Sequence, residues 1–273
     1  MIELGLFDLD KTTIDEEGRA YDGLEEALRT RRRSFARTIL TARGYPRFNE
    51  AITDHPFLTP TNMPAALENG ARIINADRDR NLYYNPLSKD EQTAICDYID
   101  SSEPFRYVSF HAQEPRTKTL LWSPDPAESV RLHRAYSHNA SVFSGRNEEL
   151  FKMIALYNPC MITCRTYGEE PKNLPEDVLA YWRGSTINFM PHGSDKGTAA
   201  AMIAELVGIH LTNALAAGND HNDIPVLSLE ELGQPVVVGG DMTDEMLMQL
   251  PERTLYVPDP KKLGRFIVKK VQP

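Results

Sequence analysis

Asp8 and Asp10 are the residues from which chemistry in this chain can start. They follow the apolar run Ile2, Leu4, Leu6 and Phe7 and open the polar segment Asp8-Leu9-Asp10-Lys11-Thr12-Thr13. Branched and aromatic residues cut off by a polar break spell a buried strand that stops at a functional edge. Alternate side chains of an extended segment share a side, so both carboxylates leave the strand together. Like charges that close repel, and a cation or a shared proton relieves them. The pair is thus a candidate for metal binding and acid–base work. A lone Asp-x-Asp is as readily a turn cap, so its meaning depends on its company.

That company occurs at three further places. Thr41-Ala42-Arg43-Gly44 cuts off a second apolar run, Phe35 to Leu40. A threonine there can offer a hydroxyl and a main-chain N–H to a phosphate oxygen; taken alone, it reads better as a cap of the next helix. Lys196 stands in Gly193-Ser194-Asp195-Lys196-Gly197-Thr198, ahead of a helix expected over 199–207 with Met202, Ile203 and Leu206 spaced for burial. Its charge adds to N–H groups already suited to an anion, the alternative being Ser194 and Asp195 as caps with Lys196 in solvent. Gly218-Asn219-Asp220-His221-Asn222-Asp223 follows a short strand expected over 211–217 and precedes a helix over 224–229. More oxygen-bearing side chains at a strand end invite a divalent cation. Asn222-Asp223 serves equally as a helix N-cap, and His221 reads as a loop residue rather than a ligand.

The elements that must position these groups alternate between strand and helix. A helix over 23–33 ends in Arg29 and Arg31 to Arg33, cations suited to a carbonyl terminus in solvent. A helix over about 46–53 follows the second strand, and Glu68-Asn69-Gly70-Ala71 turns into a short strand over 72–75. Strands separated by helices make a parallel sheet whose chemistry gathers at the carboxyl ends, which puts Asp8 and Thr41 along one crevice. From about residue 79 to 189 the texture changes to a self-contained α/β block, with strands near 107–111, 119–122, 142–143 and 161–164. We read it as an insertion that splits a core of residues 1–78 and 190–273. Strands at 236–238 and 254–257 complete the core sheet.

Composition bounds the function. At 273 residues the chain can bury a large core. A net charge of -9 argues against nucleic acid or an anionic membrane as partner, since both need clustered positive charge. Three cysteines, Cys96, Cys160 and Cys164, do not make a disulfide framework, and a reducing compartment is expected. No stretch nears the roughly 20 apolar residues that span a bilayer. Glu3 and Asp8 interrupt the start as a secretory leader is not interrupted, so we expect a cytoplasmic protein.

In their order, Asp-Leu-Asp-Lys-Thr, Thr-Ala-Arg, Asp-Lys-Gly and Gly-Asn-Asp-His-Asn-Asp resemble the motifs of the haloacid dehalogenase-like phosphatases. The Glu-Asn-Gly-Ala turn and the insertion between the second and third motifs look like the Cof-type, or type IIB, branch. The resemblance implies an α/β fold: a Rossmann-like parallel-sheet core with an inserted α/β cap that closes over the site and selects the substrate. It implies Asp8 as nucleophile, forming an aspartyl-phosphate, and Asp10 as general acid and base. Thr41, Ala42, Arg43 and Lys196 would hold the phosphoryl group, with Thr12 and Asn222 in support. Mg2+ would sit on Asp8, Asp10 and one or more of Asn219, Asp220 and Asp223.

Two positions depart from the family. Lys11 replaces its usual glycine, and Asn219 stands where it has a metal-binding aspartate. An amide oxygen ligates Mg2+ but brings no charge, so either affinity drops or Asp220 or Asp223 takes over. The implied activity is hydrolysis of a small phosphate ester, a sugar phosphate, by a monomer or homodimer. Two alternatives stay open: a sugar phosphomutase that returns the phosphoryl group to a second hydroxyl, and a silent protein that only binds phosphometabolites. Arg146, Arg165 and His192 are polar groups of the insertion within reach of substrate chemistry, each read first as a surface residue.

Overall fold

The computed structural model describes residues 1–30, 35–59, 62–102, 105–168 and 171–271. The basic run Arg31 to Arg33 lies outside the described residues. The chain forms two compact units, one of residues 1–43, 47–82 and 195–273 and one of residues 44–46 and 83–194.

The first unit is built on five parallel strands. In spatial order they are Leu255–Val257, Gln234–Val238, Ala214–Gly218, Leu4–Phe7 and Ala36–Ile39. Leu4–Phe7 and Ala214–Gly218 are buried at every position, as befits parallel strands covered on both faces and rich in unbroken apolar sequence. The strand order reverses between these two, since the second core strand lies on one side of the first and all later ones on the other. Loops leaving the two strands then part toward opposite faces and open a crevice at their carboxyl ends. Phe7 pairs with Ala217 on one side and Ile39 on the other, so Asp8, Gly218 and Leu40 emerge level with one another.

Helix Leu24–Thr30 packs on Leu263–Lys270, a C-terminal amphipathic helix absent from the sequence reading. The antiparallel pair Ala65–Leu67 and Arg72–Ile74 brackets the Glu68–Gly70 turn. The helix expected over 199–207 begins three residues earlier, at Lys196; Ile203 is buried as expected and Met202 half-buried, but Leu206 is not. Lys196, Ala199, Ala200, Ile203 and Ala204 face inward, at the 3–4 residue spacing of one helix stripe, and Leu206 is exposed. Small alanines let this helix lie close to its neighbours, and that puts Leu206 on the far side. The strand expected over 211–217 is a 3-10 turn, Leu211–Asn213, followed by Ala214–Gly218.

The second unit has a six-stranded sheet in the order Leu179–Arg183, Thr186–Met190, Ile162–Arg165, Tyr107–Phe110, Thr119–Ser123 and Ala140–Ser144. Helices Lys89–Ser101, Pro126–Tyr136 and Asn147–Tyr157 complete it, over a core that includes Phe110, Trp122, Ile162 and Phe189. Among the described residues no helix is long and apolar enough to cross a membrane.

Candidate active site

Asp8 follows the last residue of its strand, and its main-chain N–H donates to the Ala217 carbonyl at 2.9 Å. The strand ladder therefore extends to the residue that bears the carboxylate, and fixes where that carboxylate points. Thr13 ties the next turn down, its hydroxyl within reach of the carbonyls of Leu9, at 3.0 Å, and Asp8, at 3.2 Å, either of which can accept its proton.

The centre of the site is a buried ammonium between two carboxylates. Lys196 is 0% exposed, and its Nζ donates to Asp8 Oδ1 at 2.6 Å and to Asp223 Oδ1 at 2.5 Å. Lys196 reaches this place because Asp195 caps the helix start, its side chain accepting from the Thr198 N–H at 2.8 Å. Asp195 is the cap that the sequence offered; Lys196 is not in solvent. Asp223 uses its other oxygen to accept the main-chain N–H groups of Asn219, at 2.9 Å, and Asp220, at 3.1 Å. Gly218 is needed for this fold-back, because a Cβ there would meet the Asp223 side chain at 2.4 Å.

Charge and burial pull against each other here. The Asp8 carboxyl is pushed up to about 7: burial raises it most, Lys196 draws it down, and Asp223 and Asp10 add to the rise. Burial alone would lower the Lys196 ammonium, but Asp223 and Asp8 hold it well above the ordinary lysine range. A cation beside Asp8, in addition to Lys196, would offset the charge that it must carry.

Thr12 marks where such a cation fits. Its single hydroxyl proton faces both Asp8 Oδ2, at 3.2 Å, and the Asn219 amide oxygen, at 3.1 Å. A hydroxyl donates to one acceptor at a time, so two oxygens converge with one proton between them. Hard oxygen donors in that arrangement suit a small divalent ion. Among the described residues no three His, Cys, Asp or Glu side chains are grouped for metal, and a cation here would need amide or main-chain oxygens beside carboxylate.

The other expected residues sort into several places. Asp10 is gripped by the Arg43 guanidinium, Nε to Oδ2 at 3.0 Å and Nη2 to Oδ1 at 2.5 Å. Thr41 is fully buried, and its N–H is committed to the Ala66 carbonyl at 2.9 Å. That N–H is therefore not offered to a phosphate, contrary to expectation. The Thr41 hydroxyl oxygen accepts from the Arg43 N–H at 3.1 Å, across Ala42, and so shapes the turn from which Arg43 reaches Asp10. Asp220 turns its Oδ1 to the N–H of His221, at 2.8 Å, and caps the His221–Asp223 turn. Asn222 donates to the Asn69 side-chain oxygen at 2.9 Å and so ties the 218–223 loop to the Glu68–Gly70 turn. Gly70 in that turn has φ 97°, and a Cβ on it would lie 2.2 Å from the Asp195 carbonyl oxygen. The turn thus braces the start of the lysine helix.

One participant escaped the sequence reading. Asp241 follows Gly239-Gly240 at the end of the Gln234–Val238 strand, and its Oδ2 accepts from the Asn219 Nδ2 at 3.2 Å. The same oxygen lies 3.1 Å from the Lys11 ammonium, which also pairs with Glu16 at 3.0 Å. An acidic residue just past a core strand is the signal that drew attention to Asp8, and it was there to be read. A cavity of about 330 Å³, lined among others by Lys11, Tyr21, Asn219, Gly239 and Asp241, opens on this side of the site; Asp8 and Lys196 do not line it.

Comparison with known proteins gives the family and the fold. The haloacid dehalogenase-like hydrolase family matches residues 6–239. No curated protein matches the chain. Similar solved structures include the HAD subclass IIB sugar phosphatase BT4131, at 16% identity and TM-score 0.75, covering 97% of this chain and 99% of that one. BT1666 of Bacteroides thetaiotaomicron, described among phosphatases of the same superfamily, has 16% identity and TM-score 0.73, covering 98% and 94%. TM0651 of Thermotoga maritima has 13% identity and TM-score 0.75, covering 100% and 98%. These likenesses establish a shared fold, and with the family match over most of its length, this chain belongs to the haloacid dehalogenase-like hydrolases.

Proposed function

We propose that the chain is a Mg2+-dependent phosphomonoesterase that hydrolyses a small phosphorylated metabolite, a sugar phosphate, through an aspartyl-phosphate. The observation that carries this is the buried Asp8–Lys196–Asp223 cluster at the point where the sheet order reverses. An aspartate held by a fixed ammonium, with its second oxygen turned toward Thr12, is oriented for in-line attack on phosphorus. In that step an Asp8 oxygen bonds to phosphorus as the bond to the alcohol oxygen breaks. Asp10 gives a proton to the departing alkoxide, then takes one from the water that cleaves the acyl phosphate. Arg43 holds both Asp10 oxygens and would release one of them for Asp10 to carry the proton, while Lys196 offsets charge on the phosphoryl oxygens as it builds up.

Asp8, Asn219 and the Asp10 main-chain carbonyl are the oxygens that would hold Mg2+. Its chemistry would be to offset the repulsion between Asp8 and the phosphate dianion. The likeness to subclass IIB sugar phosphatase BT4131 supports a sugar phosphate as substrate. Three cysteines do not make a disulfide framework, which is in keeping with a cytoplasmic protein, and it would act as a monomer or homodimer.

A second reading is favoured by one observation, the neutral amide at position 219: a protein that binds a phosphometabolite without turning it over. Phosphate release from a panel of sugar phosphates, polyol phosphates and nucleotides, with MgCl2 and with chelator, separates the two. Hydrolysis that needs Mg2+ and disappears in Asp8→Asn supports the phosphatase. Binding of a panel member without any phosphate release supports the binder.

A further inference from the structure

We infer that Asp241 is a positioning residue for the cation site: it orients the Asn219 amide and supplies, from behind, the negative charge that residue 219 lacks. The inference rests on the Mg2+-dependent reading above. It starts from the donor and acceptor inventory. An ionised carboxylate only accepts hydrogen bonds, so Asn219 must turn its NH2 group toward Asp241. Its oxygen is thereby turned the other way, onto the Thr12 hydroxyl that also faces Asp8. With only Thr12 to choose between them, the two amide orientations would compete, since a hydroxyl can donate to the oxygen or accept from the NH2. Asp241 removes that choice.

The charge relation points the same way. A carboxylate 3.2 Å from the amide nitrogen polarises the amide and makes its oxygen a better ligand for a cation. Lys11 holds Asp241 in turn, at 3.1 Å, and is itself held by Glu16. The two positions where this chain departs from its family are thus joined through Asp241. Lys11, at φ 60°, takes a backbone conformation that suits glycine better. Its ammonium is placed beside Asp241 all the same, which is a reason for a lysine at that turn.

The test is a magnesium titration followed by melting temperature, on the full chain, with wild type, Asp241→Asn and the double variant Asn219→Asp with Asp241→Asn. Asp241 is partly exposed, and its loss should leave the metal-free melting temperature nearly unchanged. An asparagine at 241 can donate as well as accept, so the amide at 219 loses its fixed direction. The apparent Mg2+ affinity should fall about 10-fold or more, the range seen when a group that orients a metal ligand is removed. The double variant restores one carboxylate and one amide with their roles exchanged, and its affinity should return to within about threefold of wild type or exceed it. Asn219→Asp alone is the control: if it raises the Mg2+ affinity as much in the wild-type chain as beside Asp241→Asn, the two positions act independently and the inference is overturned.

If wild type binds Mg2+ and Asp241→Asn binds it equally well, the inference is overturned while the phosphatase reading stands. Loss in the single variant without recovery in the double also overturns it. If wild type shows no Mg2+-dependent rise at all, the metal-dependent reading fails, and this one with it.

Discussion

Asp8→Asn should stabilise the metal-free protein while ending its catalysis. The carboxyl of Asp8 ionises near 3.8 in an unfolded chain, whereas burial lifts it to about 7 in the fold. Between those pH values the folded protein holds a proton that the unfolded chain has lost. Stability therefore falls as pH rises through that window and levels off above it. At about 1.4 kcal/mol per pH unit, the window corresponds to about 4 kcal/mol. Asparagine has nearly the same shape and no such titration, and it leaves Lys196 with Asp223 as its partner. In chelator the variant should match wild type near pH 4 and lie above it by up to about 4 kcal/mol at pH 8. At 2–4 °C per kcal/mol that is about 8 °C or more in melting temperature, less whatever the strand end relaxes. Saturating MgCl2 should shrink the gap or reverse it, because the cation stabilises only the ionised aspartate. The assay is thermal unfolding across pH, with and without chelator. A variant that melts below wild type at pH 8 in chelator, or a gap that does not change with pH, would refute the claim that Asp8 carries an uncompensated buried charge.

Lys196→Met leaves Asp8 and Asp223 without their shared ammonium and should cost about 3–5 kcal/mol in denaturant unfolding, besides abolishing phosphate release. Removal of metal with EDTA should stop phosphate release, and MgCl2 should restore it; full activity in chelator would count against the proposed cation. Gly70→Ala forces a Cβ to within 2.2 Å of the Asp195 carbonyl at φ 97°, and should destabilise by about 2 kcal/mol or more as read by urea unfolding.

What the sequence carried plainly is the set of strand ends. Asp8, Thr41 and the 218–223 loop each follow an abrupt end to an apolar run, and a doubly wound sheet brings such ends to one edge. Partners were harder to read. Nothing in Gly-Asn-Asp-His-Asn-Asp says that Asp220 will cap its own turn while Asp223 folds back to the lysine; Gly218 decides it, by leaving room for one side chain. Lys196 was placed before its helix because the apolar spacing starts at Ala199, yet the Asp195 cap begins the helix at the lysine and turns it inward.

The same physics explains the elements that went unread. Leu179–Arg183 and Thr186–Met190 pair across Gly184-Ser185, a two-residue loop with a glycine at φ 58°, which is a hairpin signal hidden by half-buried strands of mixed polarity. Ala65–Leu67 is three residues long, too short for any period to show. The spacing of Met202, Ile203 and Leu206 points Leu206 to the core, but the helix packs through its alanines, and closeness of approach outweighs side-chain size there.

The amide at position 219 makes physical sense in this setting. Asp8 and Asp223 already share one buried ammonium, so the cluster carries an excess negative charge before any cation arrives. A third carboxylate at 219, buried and beside Asp8, would add another and raise the cost of the metal-free fold. An amide would keep an oxygen for the proposed cation without that charge. The carboxylate at 241 is partly exposed, where water screens it and Lys11 pairs with it, so it costs far less there than in the interior. Asp241 and Asn219 would thus divide two demands that a buried aspartate would have to meet together: a stable fold without the proposed cation, and an oxygen kept aimed at it.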